Sequence, residues 1–312
     1  MTFVTMALFA GVVLSSANSE PPGDVDPIGA AIQKAEQLRR RGEVRQAYQV
    51  LYSVRNGQTG KTGAALVNLL GSVLQDLGRG DEAEQHYRRA LRMIEIEFGP
   101  DDADLVSPLN DLGGLMMARG RLDEAAVLLE RSLALRERHY SEAHPVVLRG
   151  LENLAKVRLA QKHDNEAEHL FERARQGWED RMPGAPEAAV ALNGLGVLAE
   201  RRGNKERAAT VFRDAIERWR PDEEPLLLAQ VIGNLASVLP PDEALAQYSR
   251  AIALVEKHGG LEHPLLARLL DGHARCLHAL HQTQEARAQS SRANRVRKAN
   301  TVGFTVDAGS LK

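Results

Sequence analysis

Four segments of the chain can be written under one another without a gap: residues 67–91, 109–133, 151–175 and 192–216. An alanine recurs in them at Ala83, Ala125, Ala167 and Ala208, at spacings of 42, 42 and 41 residues. A small residue stands twelve places before each alanine, at Gly71, Gly113, Ala155 and Gly196. Self-similarity at such a period means that one supersecondary unit is copied and stacked, because a single unit cannot bury its apolar face alone.

Each copy reads as apolar residues at helical spacing, a polar turn, then a second helical run. The turns hold Gly78, Gly120 and Gly203, where a helix commonly ends on a left-handed residue. Each unit is therefore expected to be a helical hairpin. Small residues at matched places let two helix backbones approach, and Tyr87, Leu129, Phe171 and Phe212, four after each alanine, fill the seam beside them.

Weaker copies flank the clear ones. Residues 32–54 carry Ala35, Gly42, Ala47 and Leu51 at the same offsets. Residues 231–257 place Ala236 and Ala244 only eight apart. The four missing residues are about one helical turn, lost at Pro240-Pro241, so the first helix there is expected to stop near Leu239. A last unit has Ala274 and Ala286, with the polar Gln284, Gln289, Ser290 and Arg292 on its second helix, as a solvated cap requires. The expectation is an all-α protein of seven helical hairpins over residues 28–299.

The wording of the units, Leu70, Gly71, Ala83, Tyr87 and Ala90 in one and Leu195, Gly196, Ala208, Phe212 and Ala215 in another, resembles the tetratricopeptide repeat. The longer period and the connections at His144-Pro145 and His263-Pro264 are similar to the kinesin-light-chain variety. The resemblance implies a right-handed α-α superhelix whose first helices line a concave side and hold an extended or helical peptide. The matching polar places are Asn68, Asn110 and Asn193, three before the small residue, and Asn153 and Asn234, two before it. Ser72 and Lys156 follow it by one, with Gln75 and Glu200 further along. Asparagine both donates to and accepts from a peptide backbone. The same residues could equally bond neighbouring helices and keep the repeats in register. The Lys/Asn/Arg set of carboxylate-clamp members is not assembled in adjacent units, so capture of a chain-terminal carboxylate is not implied.

Composition narrows the function classes. Of 312 residues, 43% are hydrophobic but only 4% aromatic, which suits helices packed through Leu and Ala. The net charge of −2 gives no general case for nucleic-acid binding, and the single Cys276 rules out an internal disulfide framework. Residues 1–19 are uncharged up to Ser19 and end in small residues at Ser15 and Ala17, as an export signal or membrane tether would. They lack the basic start such signals carry. Residues 20–27 read as a linker and residues 300–312 as a tail, loose or folded back on the cap.

Candidate chemistry is sparse. GQTGKT, residues 57–62, resembles half a P-loop through Gly60, Lys61 and Thr62, yet the first glycine position holds Arg55, and a P-loop must follow a buried strand. The preceding residues read instead as the second helix of the first unit, with GQTGKT as the connection. A nucleotide-dependent protein using Lys61 and Thr62 is the rival function, and a purely structural repeat of an envelope assembly is a third. His273, Cys276, His278 and His281 could ligate a metal, but the two pairs sit on different helix faces, and no metal is expected. Recurrent carboxylates such as Asp81-Glu82 and Asp123-Glu124 read as complements to helix dipoles. No catalytic signature and no cofactor site is found. The expected partner is a protein or peptide, with no nucleic acid and no small-molecule substrate.

Overall fold

A computed structural model describes residues 26–57, 59–219 and 224–302. The proposed export segment 1–19, the linker up to residue 25 and the tail from residue 303 lie outside the described residues. Among the described residues there are fourteen α-helices, two short 3-10 turns and no strand.

The chain divides after Gln161 into two compact units. The first holds α1 (Pro27–Arg40), α2 (Val44–Ser53), α3 (Gly60–Asp76), α4 (Gly80–Phe98), α5 (Val106–Ala118), α6 (Leu122–His139) and α7 (Pro145–Ala160). The second holds α8 (Asp164–Arg181), α9 (Ala189–Arg201), α10 (Lys205–Arg218), α11 (Pro225–Val238), α12 (Pro241–His258), α13 (Pro264–Ala279) and α14 (Thr283–Val302). Within each unit consecutive helices pack on one another, so α3 lies on α4, α5 on α6, α9 on α10, α11 on α12 and α13 on α14.

The local causes match the sequence. Asp26, His144 and His263 accept from the backbone N–H two residues on, and a proline fills the first helical position after each. The shortened turn after α11 is confirmed: that helix stops at Val238 and α12 begins at Pro241. Gly120 and Gly203 take φ of +73° and +79° in their turns, while Lys162 and His281 hold the equivalent left-handed places with φ of 66° and 61°.

The seam chemistry is a large side chain set against a bare glycine. A methyl on Gly71 would come within 2.7 Å of Tyr87, one on Gly113 within 2.8 Å of Leu129, and one on Gly196 within 2.4 Å of Phe212. The contact runs between hairpins as well as within them. Gly194 receives Phe171 of α8 and Gly272 receives Tyr248 of α12, where a methyl would lie 2.4 and 2.3 Å from the ring. Helix α9 is thus clasped from both sides, through Gly194 and Gly196.

Ion pairs join one hairpin to the next along its edges. Arg119 of α5 reaches back to Asp81 and Glu84 of α4 at 2.6 and 2.7 Å, and Arg201 of α9 reaches Asp164 of α8 at 2.7 Å. Second helices are linked likewise, Arg131 to Glu95 at 2.5 Å and Arg292 to Glu256. The acids opening the second helices therefore do more than complement the helix dipole. They also tie adjacent repeats, each exposed pair contributing about 0–1 kcal/mol.

Gly196→Ala is expected to lower the unfolding free energy by about 1–3 kcal/mol, since the Phe212 ring must leave its seat. His281→Gly is expected to raise it by roughly 0.5–1 kcal/mol by relieving the left-handed backbone. Urea unfolding of the two variants beside the wild type checks both signs.

Candidate functional site

The polar residues singled out on the first helices lie in two groups, one in each unit. In the first unit, α3, α5, α6 and α7 contribute to one largely buried network, with Ser107 at its exposed edge. Asn68 donates through Nδ2 to Asp111 Oδ2 at 2.7 Å and Ser107 Oγ at 3.2 Å. Asn110 Oδ1 accepts from Arg136 Nη2 at 3.0 Å and from Asn153 Nδ2 at 2.9 Å. Arg136 also donates to the Val146 carbonyl at 2.9 Å. Asn68, Asn110 and Asn153 are each more than nine-tenths buried, as is Arg136.

Beside this network, Tyr87 Oη donates to Gln75 Oε1 at 3.1 Å and lies 3.3 Å from Ser72 Oγ. Ser72 in turn donates to the Asn68 carbonyl at 3.4 Å. Arg39 of α1 bridges to Asp76 of α3 at 2.6 Å. In the second unit, Asn234 Nδ2 donates to Asn193 Oδ1 at 2.9 Å, joining α11 to α9. Ser237 donates to Glu200 Oε1 at 2.9 Å, joining the same helices.

The electrostatics follow from burial. Asp111 is pushed up to about 6, first by loss of water around its carboxyl, against the opposing hydrogen bond from Asn68 and the charge of Arg39. Burial lowers Arg136 to about 10, with the Asp111 charge acting the other way. The Tyr87 hydroxyl is raised for the same first reason, desolvation.

The structure thus pairs Asn110 with Asn153, Asn193 with Asn234, and Ser72 with Gln75 through Tyr87. Lys156 is half-buried on α7. The buried asparagines bond neighbouring first helices, the geometry of the register-keeping role. Ser72, Gln75, Lys156, Asn193, Glu200 and Asn234 keep part of their surface in solvent. Sequence reading passed over Asp111, Ser107, Arg39 and Arg136. A signal for the first existed, because Asp111 stands two places before Gly113, the place at which Asn153 and Asn234 were noticed.

The GQTGKT stretch is corrected in one respect. Gly60, Lys61 and Thr62 form the first turn of α3 instead of a connection. The Gly60 N–H donates to Glu97 Oε2 at 3.1 Å, and Lys61 is ion-paired with Asp102 at 2.9 Å and Asp104 at 2.7 Å. What precedes is the helix α2, so the strand a P-loop needs is replaced by a helix, and carboxylates engage the groups that would meet a phosphate. His273 Nε2 lies 3.4 Å from Ser249 Oγ, and Cys276 is half-buried against the core of the second unit. Among the described residues no group of three His, Cys, Asp or Glu side chains is placed to hold a metal ion, and no helix is long and apolar enough to cross a membrane.

Comparison with known proteins places these observations. The family model of the tetratricopeptide repeat matches residues 61–138, 104–180 and 146–220, together just over half of the chain. No curated protein matches the chain in sequence. Among solved structures, the apo form of RapI superposes with a TM-score of 0.67 at 14% identity, covering 87% of this chain and 97% of that one. The Rap conjugation gene regulator of plasmid pLS20, in complex with the Phr* peptide, superposes with a TM-score of 0.64 at 13% identity, over 87% of this chain and 74% of that one. Repeats assigned to a kinesin light chain of Podosopora anserina do so at 0.54 and 18% identity, covering 62% and 95%.

Asn110→Ala is expected to cost about 2–3 kcal/mol, because it leaves the buried Arg136 guanidinium short of an acceptor. Asn153→Ala should cost roughly 1 kcal/mol, and the double variant less than the sum, since both donors share one oxygen. A double-mutant cycle by chemical denaturation reads all three values.

Proposed function

The chain belongs to the tetratricopeptide repeat family, and from that premise we propose that it is a non-catalytic scaffold that holds an extended or helical segment of a partner protein along its first helices. The observation that carries this is a set of partly exposed polar side chains on the first helices of the hairpins in each unit. Ser72, Gln75 and Lys156 lie in the first unit, and Asn193, Glu200 and Asn234 in the second. Their groups can pair with a peptide backbone, while the large apolar residues beneath them are consumed by the seams. The Rap regulator's complex with the Phr* peptide supports the reading, because a chain of similar fold is found bound to a peptide. The helix ahead of Gly60 and the pairing of Lys61 with Asp102 and Asp104 both weigh against the nucleotide-dependent alternative. Export is proposed on the apolar residues 1–19 alone; recovery of the intact N-terminus only from cytosol would end it.

Substituting half-exposed residues separates binding from folding. Lys156→Glu in the first unit, and separately Glu200→Lys in the second, are each expected to weaken capture of a cross-linked partner segment about tenfold. Each should move the urea midpoint little, since both residues keep part of their surface in solvent. If every partner interaction survived, a purely structural repeat would be the better account.

A further inference from the structure

One buried acceptor in the first unit has no donor. Asn68 Oδ1 is enclosed without a hydrogen-bond partner, although Nδ2 of the same amide donates to Asp111 Oδ2 at 2.7 Å. Among the described residues, no cation is ion-paired with Asp111, unlike Asp76, which Arg39 engages at 2.6 Å. Asp111 keeps part of its residue surface in solvent while its carboxyl group is packed among protein atoms. A carboxylate so placed without an ion-paired cation, and a buried carbonyl without a donor, are each costly. One proton removes both faults. A neutral carboxylic acid keeps an oxygen to accept from Asn68 Nδ2 and gains an O–H to donate.

We propose that Asp111 carries a proton in the folded chain and donates it to Asn68 Oδ1, so that acid and amide form a two-bond latch between α3 and α5 that opens when the proton leaves. Around the carboxyl, Ser107 Oγ lies 3.5 Å from Asp111 Oδ2, and Asn110 adds a hydrogen bond that favours the charged form. The charged and titratable groups facing it are Arg39 from α1, with Asp76 of α3 beside it, Tyr87 from α4 and Arg136 from α6. The 3-10 turn Ala103–Leu105 ahead of α5 carries Asp104, which is already engaged by Lys61. The two arginines pull against protonation, and enclosure of the carboxyl outweighs them, which puts the group at about 6. The folded value therefore lies above the ordinary aspartate value of about 4. The latch contributes its full stability below that ordinary value and loses it as pH rises through about 6. Ordinary ion-paired carboxylates, such as Glu84 and Glu168, which are held low, act in the opposite direction.

Asp111→Asn isolates the latch, because an amide at this place offers an acceptor and a permanent donor. The urea midpoint of the full chain, measured for wild type and variant from roughly pH 3.5 to 7.5, is expected to favour the wild type most at the acid end. The wild type should lose ground to the variant between about pH 4 and 6, and the difference should level off above that. A difference that does not change with pH overturns the proposal. Should the variant not fold, carboxyl ¹³C NMR of the wild-type chain decides. One aspartate titrating near pH 6 supports the latch, and a full set titrating at or below about 4.5 overturns it.

Discussion

The structure rests on how closely two helix backbones can approach. At Gly71, Gly113 and Gly196 the missing side chain leaves a seat that Tyr87, Leu129 or Phe212 of the following helix occupies. A methyl group in any of these seats would overlap the occupant, so glycine is required there for space, not for backbone freedom. The inter-hairpin seats at Gly194 and Gly272 extend the same device from one unit of the repeat to the next. Tyr87, Phe171 and Phe212, the aromatic residues among the largest fully buried side chains, all sit in such seats. Dispersion contacts of this kind are lost quickly when a gap opens, so the stack tolerates little change at these places.

Polar groups then divide into two sets with different work. Arginine and carboxylate pairs on the edges, Arg119 with Asp81 and Arg131 with Glu95 among them, join neighbouring repeats in solvent, where each is weak. Within the first unit, the buried Asn68, Asn110, Asn153 and Arg136 and the partly exposed Asp111 form a network in which each member restricts the next. Losing one partner there costs more than losing an edge pair. Between the two sets lie first-helix residues such as Ser72, Gln75, Asn193, Glu200 and Asn234, which bond within the stack and still keep part of their surface in solvent.

Much of this was legible in the sequence because the period is strong. Twelve-residue spacing from Gly71 to Ala83 fixes which helices pair, the glycine turns mark where they end, and Pro240-Pro241 reports the shortened turn. The partial P-loop was legible too, once helix α2 was recognised ahead of it, although the start of α3 at Gly60 was not. The network was harder to read. A helical repeat shows which positions face inward, but a buried polar residue takes its meaning from partners on other helices. Arg136 and Asn110 are 26 residues apart, and Asn153 is 43 from Asn110. Asp111 broke the local pattern and was passed over because one acid on a polar stripe looks like a solvated residue.

The central claim is that helices are held by large side chains seated against bare glycines. It is tested most directly by a double-mutant cycle pairing Gly194→Ala with Phe171→Leu in equilibrium unfolding. Seating predicts that the smaller side chain relieves the added methyl, so the double variant should be more stable than the summed single effects by at least about 1 kcal/mol. Strict additivity of the two substitutions would contradict it.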